Sequence, residues 1–190
     1  MNTQVLDVLK RPEHFKKYGV TIPNGMLLYG PPGCGKSTVG RALGHEMQMS
    51  FSDTDTMIEE REKCSISDIF TEQGEGYFRA IEEEVVAKAL EIEGGVLSLG
   101  GGAILSEVTQ ELLRKSGSEI VFLDVSITGA APRIGFNRDR PLLIDNPRAR
   151  WVALMAARRH IYESLATRVV NTDDKSPNET VEAVRKELSK

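Results

Sequence analysis

Gly30-Pro-Pro-Gly-Cys-Gly-Lys-Ser-Thr38 carries the spacing G-x-x-x-x-G-K-[ST] in full. The apolar run Met26-Leu-Leu-Tyr29 precedes it, and a stretch from Ser37 to Met47 that reads as a helix follows. The chemistry of this spacing is the holding of a triphosphate. Gly33 and Gly35 let successive backbone N–H groups curl around phosphate oxygens, and the following helix turns its positive end toward them. Lys36 can reach the β- and γ-phosphates, and the Ser37 hydroxyl can bind Mg²⁺. Gly33, Cys34, Gly35, Lys36, Ser37 and Thr38 are therefore the expected nucleotide-binding residues, with Cys34 at a free position and no chemical part of its own. The alternative, a glycine-rich turn without a ligand, leaves the strand–loop–helix context unexplained. The loop specifies a nucleoside triphosphate and nothing further, because motors, switches and kinases all use it.

What accepts the phosphate has to be argued from other residues. Asp53 and Asp55 lie two apart at the end of a short strand from Ser50, and alternation places them on one face. One carboxylate can hold a Mg²⁺ shell through water while the other takes the proton of an acceptor hydroxyl. The alternative is a helix N-cap before Met57-Ile58-Glu59. Arg79 follows Phe78 on a helix and could pair with Glu82 or Glu83 at the surface. Arg158 falls within the apolar stripe Trp151, Leu154, Met155, Tyr162 and Leu165. A guanidinium on such a face needs an anionic partner, either a ligand carboxylate or an internal acid. Arg159, one step around, is expected in solvent. Gly100-Gly-Gly102 follows a strand at its carboxyl end and either admits a ligand to the backbone or forms a flexible turn. Residues 137–143 (Asn-Arg-Asp-Arg-Pro-Leu-Leu) make a polar stretch long enough to move as a lid, with an arginine that could meet the transferring phosphate, or else an ordinary exposed loop.

The elements that must position these groups alternate in kind. Strands are expected at 26–30, 50–53, 95–99, 119–125 and 167–171. Helices are expected at 37–47, from Ser65 to about Gln73, at 77–93 with Phe78, Ile81, Val85, Ala89 and Ile92 inward, from Pro147 to about Ala166, and at 180–188. Ser65 and Asp68 form a capping-box-like start, Gly74 a break, and Pro147 a first-turn residue. That alternation indicates an α/β domain with a parallel sheet covered on both faces. With 190 residues, 40% apolar and 27% charged, the chain suits one domain with its own core rather than a disordered segment. A net charge of 24 − 28 = −4 speaks against a nucleic-acid partner. The apolar runs are too short to cross a bilayer, and residues 1–20 lack the apolar core of a signal peptide. Two cysteines, Cys34 and Cys64, are too few for a disulfide framework. A cytoplasmic setting and a monomer without membrane or nucleic-acid partners are the expectations.

Taken in order, these pieces resemble the shikimate kinase family from about Gly30 to the C-terminus. The segments that carry the resemblance are Asp53-Thr-Asp55, Ser65-Ile-Ser-Asp-Ile-Phe70, Gly74-Glu-Gly-Tyr-Phe-Arg79 with Glu82, Gly100-Gly-Gly102, Arg138-Asp-Arg-Pro-Leu-Leu143, and Arg158 with Tyr162. The resemblance implies a P-loop, nucleoside-monophosphate-kinase-like fold with five parallel strands and a mobile lid at about 130–146. It implies ATP and Mg²⁺ as cofactors and shikimate as the small-molecule substrate, phosphorylated on its 3-hydroxyl. By it, Asp55 binds the acceptor hydroxyl and serves as base, and Asp53 holds Mg²⁺ through water. Arg79, Arg158 and the backbone around Gly101 hold the carboxylate and a ring hydroxyl. Pro32, Ile66, Phe70, Phe78, Pro141 and Leu142 wall the ring. Arg140 reaches phosphate and substrate from the lid, and Arg133 stacks near adenine.

Residues 11–19 and 23–36 depart from the family and look like the start of an AAA+ ATPase module, the pattern of a mosaic or a chimera joined inside the phosphate motif. One alternative function is accordingly an AAA+-type ATPase. It lacks the Asp-Glu strand end such motors use, since Ile120-Val-Phe-Leu-Asp124 runs on into Val125. Another is an ATP-binding chimera with little turnover, since a small misplacement of the loop costs much rate. A third is a related kinase acting on another carboxylate-bearing alcohol such as gluconate.

Overall fold

The computed structural model describes residues 24–92, 94–134 and 146–190. In chain order the elements are β1 (Met26–Tyr29), α1 (Lys36–Met47), β2 (Phe51–Asp53), α2 (Thr54–Glu62), α3 (Ile66–Glu72), α4 (Gly74–Leu90), β3 (Val96–Ser98), a 3₁₀ turn (Ala103–Leu105), α5 (Glu107–Lys115), β4 (Glu119–Asp124), α6 (Ile127–Ile134), α7 (Pro147–Leu165), β5 (Arg168–Asn171) and α8 (Pro177–Leu188). The strands form one sheet in the order β2-β3-β1-β4-β5, every neighbouring pair parallel. This is the α/β sheet flanked by helices that the sequence leads one to expect.

The central strands carry a continuous apolar middle because helices cover both faces. Every residue of β1 is buried, as are Ile120 to Leu123 of β4. Fully burying a side chain such as Leu28 or Phe122 contributes about 1.5–3 kcal/mol. A second, smaller apolar cluster stands apart from this core. Ile58, Ile69, Phe78, Ile81 and Val85 join α2, α3 and α4 to one another. Since β1 lies beside β3, the loop after β1 and the glycine turn after β3 emerge next to each other at the carboxyl edge, where ligands bind in open α/β sheets.

Local signals place most boundaries. Ser65 accepts from the Asp68 amide while the Asp68 carboxylate accepts from the Ser65 amide, so aspartate completes the capping box. Gly74, at φ +83, turns the chain from α3 into α4 as the first residue of the second helix. There the helix starts at Gly74 rather than Tyr77 and ends at Leu90 rather than near 93, which leaves Ile92 half exposed instead of inward. Pro147 opens α7, whose Asn146 cap accepts from the Ala149 amide. In α8 the helix starts at Pro177, three residues before expectation, because Ser176 and Glu179 form a second capping box. Among the described residues no helix is long and apolar enough to cross a membrane. The N-terminal segment 1–23 and residues 135–145 of the expected lid lie outside the described residues, whereas 130–134 belong to α6.

Candidate active site

The nucleotide side is one continuous loop. Gly33 and Gly35 hold φ +84 and +86, and Gly35 is the N-cap of α1. These left-handed values, which L side chains rarely adopt, leave the loop amides at the head of the helix. A cleft of about 480 Å³ opens above them, lined by Gly33 through Val39 with Arg133, Lys175, Pro177 and Thr180. Lys36 and Thr38 line this cleft with the rest of the loop. Cys34 is buried and burial pushes its thiol up, so it packs rather than reacts. Arg133 spans the cleft. It donates to the Gly33 carbonyl (3.3 Å), to Thr172 Oγ1 (3.1 Å) and to the carbonyls of Thr172 (2.7 Å) and Lys175 (3.3 Å).

Ser37 Oγ donates to Asp53 Oδ2 at 2.6 Å. Asp53 Oδ1 accepts from the Asp55 amide at 3.0 Å and caps α2. The N-cap reading of Asp53 is realised through Oδ1, while Oδ2 faces the Ser37 hydroxyl of the phosphate loop. Strand alternation does not relate the pair, however: β2 ends at Asp53, and Asp55 sits in the first turn of α2. The hydroxyl and carboxylate brought together here are hard oxygen donors of the kind a magnesium ion takes. Ser98, in register with Asp53 on the next strand, adds a buried hydroxyl that has no partner among the described residues. Sequence reasoning passed over Ser98 because a lone serine in a buried strand carries no periodic signal.

The acceptor side is assembled from four separate segments around the glycine turn. The Gly100 amide donates to Thr54 Oγ1 at 2.9 Å, a fully buried contact that ties the turn to α2. A Cβ on Gly100 would stand 2.6 Å from Asp55 Oδ1 and 2.8 Å from Glu82 Oε1, and one on Gly102 would stand 2.4 Å from Arg79 Nη1. A side chain at either glycine would displace the acid and arginine heads that fill this space. Burial pushes the Asp55 carboxyl up, Lys36 opposing it, and burial likewise raises Glu82 against its ion pair with Arg79.

Arg79 does pair with Glu82 (Nη1–Oε2, 2.6 Å) and with Glu75 (3.2 Å), but Glu82 is almost completely buried, so this is no surface bridge. Phe78 is buried beneath it, its ring centroid 4.6 Å from that of the more exposed Phe70. Of the two partners expected for Arg158, the internal acid is not found paired with it among the described residues. Arg158 donates to the Gly101 carbonyl at 3.0 Å, which Tyr162 Oη also reaches at 2.8 Å. Arg159 is exposed, as expected, and at the surface it makes a two-pronged pair with Asp124 (2.8 and 3.1 Å) and bonds Glu163. The structure therefore brings Asp55, Arg79, Phe78, Gly100, Gly101, Gly102 and Arg158 to one edge beside the phosphate loop. Arg140, Pro141 and Leu142 lie outside the described residues.

Comparison with known proteins matches residues 32–189 to the family model "Shikimate kinase". The shikimate kinase of Thermobifida fusca is 50% identical over 162 residues, 85% of this chain and 93% of that protein. Among solved structures, a shikimate kinase from Acinetobacter baumannii in complex with shikimate superposes with a TM-score of 0.80 at 30% identity, over 88% of this chain and 93% of that one. The enzyme from Aquifex aeolicus gives 0.74 at 35% identity, over 86% and 95%. The AAA+-like reading of the N-terminal segment, and with it the chimera, draws no support from these matches.

Proposed function

The chain belongs to the shikimate kinase family, and on that premise we propose that it transfers the γ-phosphate of ATP to the 3-hydroxyl of shikimate, releasing shikimate 3-phosphate and ADP. The observation that carries the reading is the convergence of Asp55, Arg79 and Arg158 on one glycine turn that abuts the phosphate loop. A Cβ on Gly101 would stand 3.4 Å from the Gly30 carbonyl.

The roles divide by position. The loop amides from Gly33 to Thr38 and the Lys36 ammonium hold the phosphates, and Arg133 with Pro177 borders the base end of the cleft. Ser37 and Asp53 would hold a magnesium ion, which supplies charge neutralisation at the phosphates. Asp55 orients the acceptor hydroxyl and takes its proton, since a carboxylate whose pKa is raised by burial is a stronger base than a solvated one. Arg79, held in place by Glu82, and Arg158, held by the Gly101 carbonyl, meet the substrate carboxylate through the N–H groups they have left. Phe70, Phe78, Ile66 and Pro32 wall the ring. The family resemblance assigns Arg140 and Pro141, which lie outside the described residues, to the lid side of the site.

A coupled assay of ADP release, with Mg²⁺ and with or without shikimate, tests the reading. Shikimate-dependent release is the expected result. Release indifferent to shikimate would overturn the acceptor assignment, and ATP binding without release would mean a nucleotide-binding protein that does not turn over.

A further inference from the structure

We propose that Tyr162 is a positioning residue for the acceptor site: its hydroxyl and the Arg158 guanidinium share the Gly101 carbonyl, and the tyrosine thereby sets both the glycine turn and the arginine that meets the substrate. The inference rests on the reading that Arg158 receives the substrate carboxylate.

A carbonyl oxygen has two lone pairs, and here each meets a donor, Tyr162 Oη at 2.8 Å and Arg158 Nη1 at 3.0 Å. The two donors lie four residues apart on α7 and so share a face. They differ in mobility. Tyr162 is fully buried, stacked at 5.1 Å on Phe122 and tilted at 5.5 Å against Tyr29, and its own backbone carbonyl accepts from the Tyr29 hydroxyl. Burial pushes its phenol up to about 12, so it stays a donor through the neutral range. Arg158 is only partly buried and spends one of its five N–H donors on the carbonyl. Tyr162 is the fixed post of this arrangement and Arg158 the arm. Without the phenolic hydroxyl, the Gly101 peptide is held from this side by the arm alone, and the arm moves with it. The same face of α7 also reaches the phosphate loop, where Trp151 Nε1 donates to the Pro32 carbonyl at 3.0 Å.

The test is steady-state kinetics on the full chain for Tyr162→Phe, with Tyr29→Phe and Arg158→Ala alongside. Tyr162→Phe should raise KM for shikimate roughly 3- to 10-fold, the span of one neutral hydrogen bond, with KM for ATP unchanged and kcat within about twofold. Tyr29→Phe removes a neighbouring buried hydroxyl that bonds α7 rather than the turn, so it should lower Tm without a shikimate-selective effect. If Tyr162→Phe behaves like Tyr29→Phe, or raises both KM values together, the tyrosine only packs and the proposal is overturned. If Arg158→Ala leaves KM for shikimate intact while the wild type turns shikimate over, the premise about Arg158 fails and the proposal goes with it. Wild-type protein without shikimate turnover would overturn the functional reading itself. Should Tyr162→Phe fail to fold, 3-fluorotyrosine incorporated at the four tyrosines gives a second measurement. The Tyr162 ¹⁹F resonance, assigned by replacing the other three with phenylalanine, should shift with shikimate and not with ADP. A resonance that ignores shikimate would count against the proposal.

Discussion

The phosphate-binding half and the acceptor half of this site lie edge to edge, yet they are built by different means. The first is a contiguous run, residues 30–38, whose conformation is set by its own glycines and by the helix it opens. The second draws a few residues from each of α2, α4, the turn after β3 and α7, and its heads are held by long-range contacts. Examples are Thr54 with Gly100, 46 residues apart, and Arg158 with Gly101, 57 apart. The supporting cores differ as well. The loop springs from the fully buried β1, whereas Asp55 and Arg79 ride on helices that share the smaller cluster around Ile69 and Phe78. A self-contained loop resists substitution elsewhere, whereas an assembled site should respond to changes in residues that never touch substrate.

Substitution on each side sharpens that contrast. Lys36→Ala on the nucleotide side should give the largest loss, on the order of 10³-fold in kcat, with Tm little changed. Retained turnover would mean that the loop is not where the phosphate is transferred. Asp55→Asn should lower kcat on the order of 10²-fold while shikimate still binds, read by titration of Trp151 fluorescence. It should also reveal a stability cost. Burial holds this carboxyl above its ordinary 3.8, so the folded chain binds that proton more tightly than the unfolded one. Stability therefore falls as pH rises from 3.8 through the raised value, and the loss persists at neutral pH. The asparagine variant escapes the loss and should melt at an equal or higher temperature at pH 7, the two curves converging in acid. A lower Tm for the variant at pH 7 would contradict the burial argument.

The two arginines divide the acceptor side itself. Arg158→Ala should raise KM for shikimate roughly 10- to 100-fold, as loss of a charged hydrogen-bonding partner does, and leave Tm nearly unchanged because a carbonyl loses one of two donors. Arg79→Ala should raise the same KM comparably and also cost about 1–3 kcal/mol of stability, since it strips the partner from the buried Glu82 carboxylate. Thermal melts of the two variants side by side decide the matter, and equal Tm values would mean that Glu82 is satisfied without Arg79.

Much of the frame is written in short-range signals. The phosphate motif, both serine-initiated capping boxes, Gly74 and Pro147 each act within a few residues, and each marks an element where the structure has one. Two helices went unread for identifiable reasons. Ser106, with Glu107 in the first turn and Arg114 and Lys115 in the last, is a legible start and stop for α5. Pro132 inside α6 argues locally against a helix, and tertiary support overrides it: the Asp173 carboxylate accepts from the Ser126 amide at the head of the segment, and Arg133 is anchored to Thr172 at its end.

By itself the sequence determined the alternation of strands and helices, the phosphate loop, and the set of charged residues left over for an acceptor, because spacing, caps and periodicity are properties of neighbouring residues. It left open what each charged group faces. That Asp53 serves Ser37 and the α2 cap at once, that Arg79 pairs with a buried acid rather than a surface one, and that Arg158 rests on a backbone carbonyl rather than on an acid of the chain were decided only in three dimensions. The partner of a charged group is chosen by whichever distant element the sheet order sets against it, and the sheet order β2-β3-β1-β4-β5 is a result of packing, to which no single stretch of residues corresponds.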